Sequence, residues 1–154
     1  MMTLPGPLPL DAGHKCRFRV YYEDTDAGGI VYHARYLAFA ERARAEALRA
    51  HGLEVGKLAQ EGVSFVARHL EVDYKFPLRL DEVFEVQTTV TKQHGARLCL
   101  QQRILAVEGD GQRVAVLLQV ELACVHTHSG KPQRIPSSCQ RALRGLELPN
   151  QLSS

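Results

Sequence analysis

The sequence predicts an α+β domain in which one long helix lies across an antiparallel sheet of about five strands. Three observations predict it. Apolar and polar residues alternate with a period of two in four separate segments, and a fifth is a more continuous apolar run. One segment only, residues 34–50, repeats its apolar residues with a helical period. The last four strand-like segments are joined by short connections, which favour antiparallel neighbours. A helix with one apolar face and a sheet that needs a cover will pack together.

The first strand is expected over residues 16–22, with Phe18, Val20 and Tyr22 on one face and Arg17 and Arg19 on the other. In residues 34–50, Tyr36, Phe39, Ala40, Ala43, Ala47 and Ala50 share one arc of the helix, and Leu37 and Leu48 widen it. Arg44 intrudes at the edge of that arc, where Glu41 stands three residues away as its expected partner. Gly52 supplies the stop signal. In the second strand Leu70, Val72, Tyr74 and Phe76 alternate with charged residues. Val63 and Phe65 upstream have the opposite parity, so a bulge is expected between Val66 and Arg68. The third strand carries Phe84, Val86, Thr88 and Val90, and the fourth Leu98, Leu100, Gln102, Ile104 and Ala106. The fifth, residues 114–125, is the most continuously apolar and is expected inside the sheet. A short helix is expected near residues 140–146.

This pattern divides the chain into an N-terminal arm (1–14), one domain (15–135) and a C-terminal tail (136–154). With 154 residues, the domain can bury a core without metal or disulfide staples. A net charge of +2, with both signs scattered, argues against nucleic acid as a partner. Residues 1–10 hold three prolines and no basic cluster, so they do not read as a secretory signal. No apolar run is long enough to span a bilayer. The four cysteines form no C-x-x-C pair and read as reduced thiols in a cytoplasmic protein. Cys124, His126 and His128 alternate at a strand end, a pattern that fits surface histidines beside a buried thiol better than zinc. No metal and no cofactor are expected.

The unusual stretch is residues 22–33, Tyr-Glu-Asp-Thr-Asp-Ala-Gly-Gly-Ile-Val-Tyr-His. It joins the first strand to the start of the long helix. It offers carboxylates two residues apart at Asp24 and Asp26, a glycine pair at Gly28 and Gly29, and an imidazole at His33. Free N–H groups at a helix N-terminus can stabilise an oxyanion, and a nearby carboxylate can attack a carbonyl or activate water. The set suits hydrolysis of an activated acyl group such as a thioester. An ordinary Asp/Gly turn, and a D-x-D metal site lacking a second acidic cluster to complete it, are the competing readings.

Residues 21–36 also resemble the signature of the 4-hydroxybenzoyl-CoA thioesterase-like family of the hotdog fold. Within it they are most similar to the acyl-CoA thioesterases associated with the Tol-Pal system. The helix residues 39–44 and the strand residues 66–74, followed by 77–81, extend the resemblance, which covers roughly residues 16–135. It implies that Asp26 is the catalytic carboxylate. It implies that the His33 backbone N–H faces the substrate carbonyl, with acid–base help from the ring. Tyr32, Gly28 and Gly29 would shape the pocket, Glu41 would lie near the acyl group, and Arg68 would meet CoA phosphates. The residues before the basic pair, Phe65 to Ala67, depart from the family pattern. The resemblance further implies an acyl-CoA substrate, with acyl carrier protein as an alternative carrier, and a homodimer or homotetramer.

Two other readings stay open: a module that binds acyl thioesters without cleaving them, and a hydratase of the same fold. The motifs of α/β-hydrolases and nucleotide-phosphate loops are absent. Exposed edges of a five-stranded sheet favour pairing of two identical subunits.

Overall fold

The computed structural model describes residues 12–109 and 111–148. The chain runs β1 (His14–Arg19), a 3-10 turn (Tyr22–Asp24), α1 (Arg35–Ala50), α2 (Val55–Gln60), β2 (Val63–Tyr74), β3 (Val83–His94), β4 (Arg97–Glu108), β5 (Gly111–His126) and α3 (Ser137–Arg144). The five strands form one sheet in the order β1-β3-β4-β5-β2. Every neighbouring pair is antiparallel. β4 sits in the middle and β5 is flanked on both sides, as its apolar run requires. β1 and β2 are the edges.

The expected core faces hold in β3 and β4, whereas Leu70 and Tyr74 on the expected apolar face of β2 are exposed. Phe84, Val86, Thr88 and Val90 of β3 are fully buried, as are Gln102, Ile104 and Ala106 of β4. They meet Tyr36, Phe39, Ala40, Ala43 and Ala47 of α1 in one core. The small alanines let the helix backbone approach the sheet. Phe39, Phe18 and Phe84 stack their rings within 5.5 Å of one another across that contact. The β2 bulge lies between Ala67 and His69, so Val63 and Phe65 face the same core as Val72 despite their opposite parity, while Leu70 stays exposed. Gly52 takes the left-handed conformation (φ 83°). Its amide reaches the Arg49 carbonyl at 3.1 Å and the Leu53 amide reaches Leu48 at 2.9 Å, which closes α1 as a Schellman cap.

Several expectations change. β1 begins at His14 and ends at Arg19, so Tyr22 leaves the strand into the 3-10 turn and its ring is 83% exposed. Ala50 lies in the last, exposed turn of α1 rather than against the core. Helix α2 was not expected; it is only six residues long and buries a single side chain, Leu58. The C-terminal helix starts at Ser137, and Cys139, Leu143 and Leu146 join the central core. The tail therefore packs as part of the domain up to Leu148. Most of the N-terminal arm, residues 1–11, lies outside the described residues. All four cysteines are free, and Cys99, Cys124 and Cys139 are buried. No helix among the described residues is long and apolar enough to cross a membrane.

Candidate active site

The two aspartates of the 22–33 segment part company. Asp24 is turned inward, 3% exposed. Its Oδ1 accepts from Arg35 Nη2 at 2.6 Å and Nε at 3.1 Å, and its Oδ2 accepts from the Tyr21 amide at 2.8 Å. It ties the 3-10 turn to the first turn of α1 and has no oxygen left for chemistry. Asp26 faces solvent. Its Oδ1 accepts from the Gly28 amide at 2.8 Å and, weakly, from Ile30 at 3.4 Å. No hydrogen bond to its second oxygen is made among the described residues.

The loop that carries Asp26 is stiff for its length. The Asp26 amide donates to Ile30 O at 2.9 Å and the Gly29 amide to Asp26 O at 3.0 Å, while Thr25 bridges to Val31. Gly29 turns the chain with φ 79°, a conformation that side chains resist. A Cβ on Gly28 would stand 3.3 Å from Asp26 Oδ1, so glycine there lets the carboxylate close onto the amide. The loop's far side is clipped to the segment after β2: the Val31 amide donates to Leu78 O at 2.9 Å, and Ile30 bridges to Arg79.

α1 opens without a side-chain cap at Ala34. The amides of His33 and Ala34 find no acceptor among the described residues. Two unpaired N–H groups at a helix start form the donor pair that an oxyanion needs. His33 is held from the other side, because Tyr74 Oη donates to its carbonyl at 2.9 Å. The Tyr74 ring meets the buried Tyr36 edge-on, and Tyr36 Oη accepts from the Leu78 amide at 3.0 Å. The His33 imidazole is exposed and lies 4.5 Å from the Tyr32 ring, itself half exposed. Asp26, Gly28, Tyr32 and His33 are thus all exposed, and Gly29 is half-buried in the same segment.

Glu41 and Arg68 stand elsewhere. Glu41 lines an apolar cleft of about 420 Å³ between α1, α2 and the start of β2. Its expected ion pair with Arg44 does not form; Arg44 Nη1 donates instead to Gln102 Oε1 at 2.9 Å. Arg68 is the extra residue of the β2 bulge, exposed, with Glu121 at 3.6 Å. Neither is in contact with the Asp26 loop within one chain. No cluster of metal-ligating side chains occurs among the described residues; Cys124 is buried and His126 exposed, as the alternation implied.

Sequence reasoning missed Asp24–Arg35, Tyr74–His33 and Arg44–Gln102. Each spans residues far apart in sequence or hides in a motif read as one unit. Arg44 alone gave a signal, as a charge at the edge of an apolar helix face.

The chain resembles known proteins along most of its length. The Thioesterase-like superfamily model matches residues 20–143. The acyl-CoA thioester hydrolase YbgC of Escherichia coli O6:H1 is 48% identical over 120 residues, 78% of this chain and 87% of that protein. The acyl-CoA thioesterase YbgC of Haemophilus influenzae is 39% identical over 142 residues, 90% of this chain and 99% of that one. Among solved structures, a probable thioesterase from Bartonella henselae superposes with a TM-score of 0.74 at 40% identity, covering 81% of this chain and all of that one. By sequence and by fold, this chain belongs to the thioesterase-like superfamily.

Proposed function

We propose that the protein hydrolyses acyl-CoA thioesters to a carboxylic acid and CoA, with Asp26 as the catalytic residue. The observation that carries this is the division of labour between the aspartates. Asp24 is consumed by Arg35, whereas Asp26 keeps an open carboxylate oxygen in the loop that leads to two unpaired helix amides. Asp26 attacks the thioester carbonyl or takes a proton from the water that does. Either route places negative charge on the carbonyl oxygen, where the His33 and Ala34 amides can receive it. The C–S bond then breaks and the sulfur leaves with the CoA as a thiolate that takes up a proton; where Asp26 is the attacking group, water then cleaves the acyl–Asp26 anhydride to release the acid and restore the carboxylate. The exposed His33 ring, tilted against Tyr32, can exchange protons with solvent.

An exposed Asp26 needs a cover, and a second copy of the chain supplies one. β2 is a twelve-residue edge strand with one side unpaired. Antiparallel pairing of two such edges along their whole length puts the two-fold axis between Arg68 and His69. Residues 63–67 of one copy, which wall the cleft, then lie along residues 70–74 of the other, whose Tyr74 holds His33. The reaction site of this homodimer is shared: Asp26 and His33 from one subunit, the cleft with Glu41 from its partner. A tetramer would join two such dimers. Arg68, exposed at the bulge, is available to a CoA phosphate. Four free thiols fit a reducing compartment, and this supports a cytoplasmic location.

Thiol release from a panel of acyl-CoAs, with wild type beside Asp26→Asn, tests the reading. Turnover by wild type and near-complete loss in a folded Asp26→Asn protein is the expected result. A folded Asp26→Asn enzyme that retains turnover removes Asp26 from the chemistry. Tight binding of acyl-CoA without turnover by either protein favours the binding-module reading.

A further inference from the structure

The cleft between α1, α2 and β2 holds a cation that the protein itself does not neutralise. Most of its wall is apolar, with Leu48, Val55, Leu58, Phe65 and Leu122 among the lining residues. Its volume of about 420 Å³ falls within the range of small-molecule sites. Into this wall α1 projects Arg44, which is partly buried. Burial pulls its guanidinium pKa down, against the opposing charge of Glu41, yet an arginine stays protonated. No carboxylate lies within ion-pair distance of it among the described residues. Its one side-chain hydrogen bond among the described residues goes to Gln102 Oε1, which leaves most of its donors unused there.

The arrangement is held in place. Gln102 is fully buried, and its Nε2 donates to Ala40 O at 2.9 Å and to Thr88 Oγ1 at 3.0 Å. The amide is thereby locked between α1 and β3, with its oxygen aimed at Arg44. If holding Gln102 were the whole purpose, a neutral donor would do it without desolvating a charge. A guanidinium with free donors on an apolar wall is instead matched to a carboxylate, which it binds through paired, charge-assisted hydrogen bonds. Glu41, exposed on the same wall, moderates the field without occupying those donors.

We propose that Arg44 determines substrate specificity by binding the far end of acyl chains that carry a terminal carboxylate. This rests on the reading of the cleft as the acyl site of a thioesterase. The preferred substrates are then monothioesters of dicarboxylic acids, with the methylene chain along the apolar wall and the distal carboxylate on Arg44.

The test compares adipoyl-CoA with heptanoyl-CoA, a pair of similar length that differs in the terminal charge. Wild type is expected to favour adipoyl-CoA in kcat/KM. The preference should fall about 10-fold to 100-fold in Arg44→Met, the loss of one charge-assisted contact. Arg44→Gln keeps a donor for Gln102 without the charge, and should lose the preference while retaining heptanoyl-CoA turnover. Arg44→Lys should keep part of it, and Glu41→Gln should strengthen it. A purely structural Arg44 would lower both substrates together and leave their ratio unchanged, which overturns the proposal. So does a wild type that prefers heptanoyl-CoA, and in that case the thioesterase reading stands. If no substrate turns over, the same comparison is made by calorimetry with the two non-hydrolysable thioether analogues of CoA. Equal affinities there overturn the carboxylate preference independently of catalysis.

Discussion

Asp24 and Asp26 are two residues apart, and their isosteric asparagine variants should fail in opposite ways. Asp24→Asn removes a charge that is 3% exposed and takes three hydrogen bonds, two from Arg35 and one from the Tyr21 amide. Breaking a buried pair by removing one partner costs about 3–5 kcal/mol. The Arg35 side chain is 32% exposed, so water rescues part of its abandoned charge, and about 2–3 kcal/mol is the scaled cost. In a domain of this size each kcal/mol is worth about 2–4 °C, so the melting temperature should drop by about 4–12 °C. Asp26 faces solvent, and asparagine can still accept from the Gly28 amide, so Asp26→Asn should melt near wild type. Thermal unfolding followed by circular dichroism, with thiol release measured on the same samples, separates the two. Asp24→Asn should be unstable with activity surviving at low temperature; Asp26→Asn should be stable and inactive. An Asp24→Asn protein melting within about 1 °C of wild type would refute the role given to the Arg35 pair.

Gln102→Leu strips a buried amide from Ala40 O, Thr88 and Arg44, and should lower stability in urea unfolding by about 1–3 kcal/mol. Gly52→Ala forces a side chain into the left-handed C-cap and should cost about 1 kcal/mol in the same assay. Burial pushes the Cys124 thiol up to about 11, with the neighbouring Cys139 thiol adding to the shift. Under native conditions an alkylating reagent should therefore reach Cys16 first and leave Cys124 unmodified, which mass spectrometry of the tryptic peptides would show. His14 is held below its ordinary pKa of 6.5, first by burial and then by the charge of His51. The unfolded chain then binds the proton more readily, so stability is lost as pH falls below 6.5 and rises again towards neutrality. His14→Asn should flatten that part of the stability profile; an unchanged slope would assign it to another group.

The fold was legible in the sequence because its signals are local. Alternation along β3 and β4 marks their core faces, the helical period marks α1, and opposite parity at Val63 and Leu70 marks the bulge. Gly52 marks the helix end by its own backbone preference. The candidate residues Asp26, Gly28, Gly29, Tyr32 and His33 could be named from the sequence because they lie in one continuous segment. What only the tertiary structure decided is which polar groups meet. Asp24 and Asp26 look equivalent in a line of residues; folding buries one against Arg35 and leaves the other open. Arg44 looked like one half of a helical pair with Glu41, yet its partner comes from β4, fifty-eight residues away in the chain. Tyr74 reaches the His33 carbonyl across forty-one residues. Periodicity reports which face of an element is wet or dry, but a hydrogen bond depends on distance and direction between elements, and those exist only once the sheet has closed on the helix.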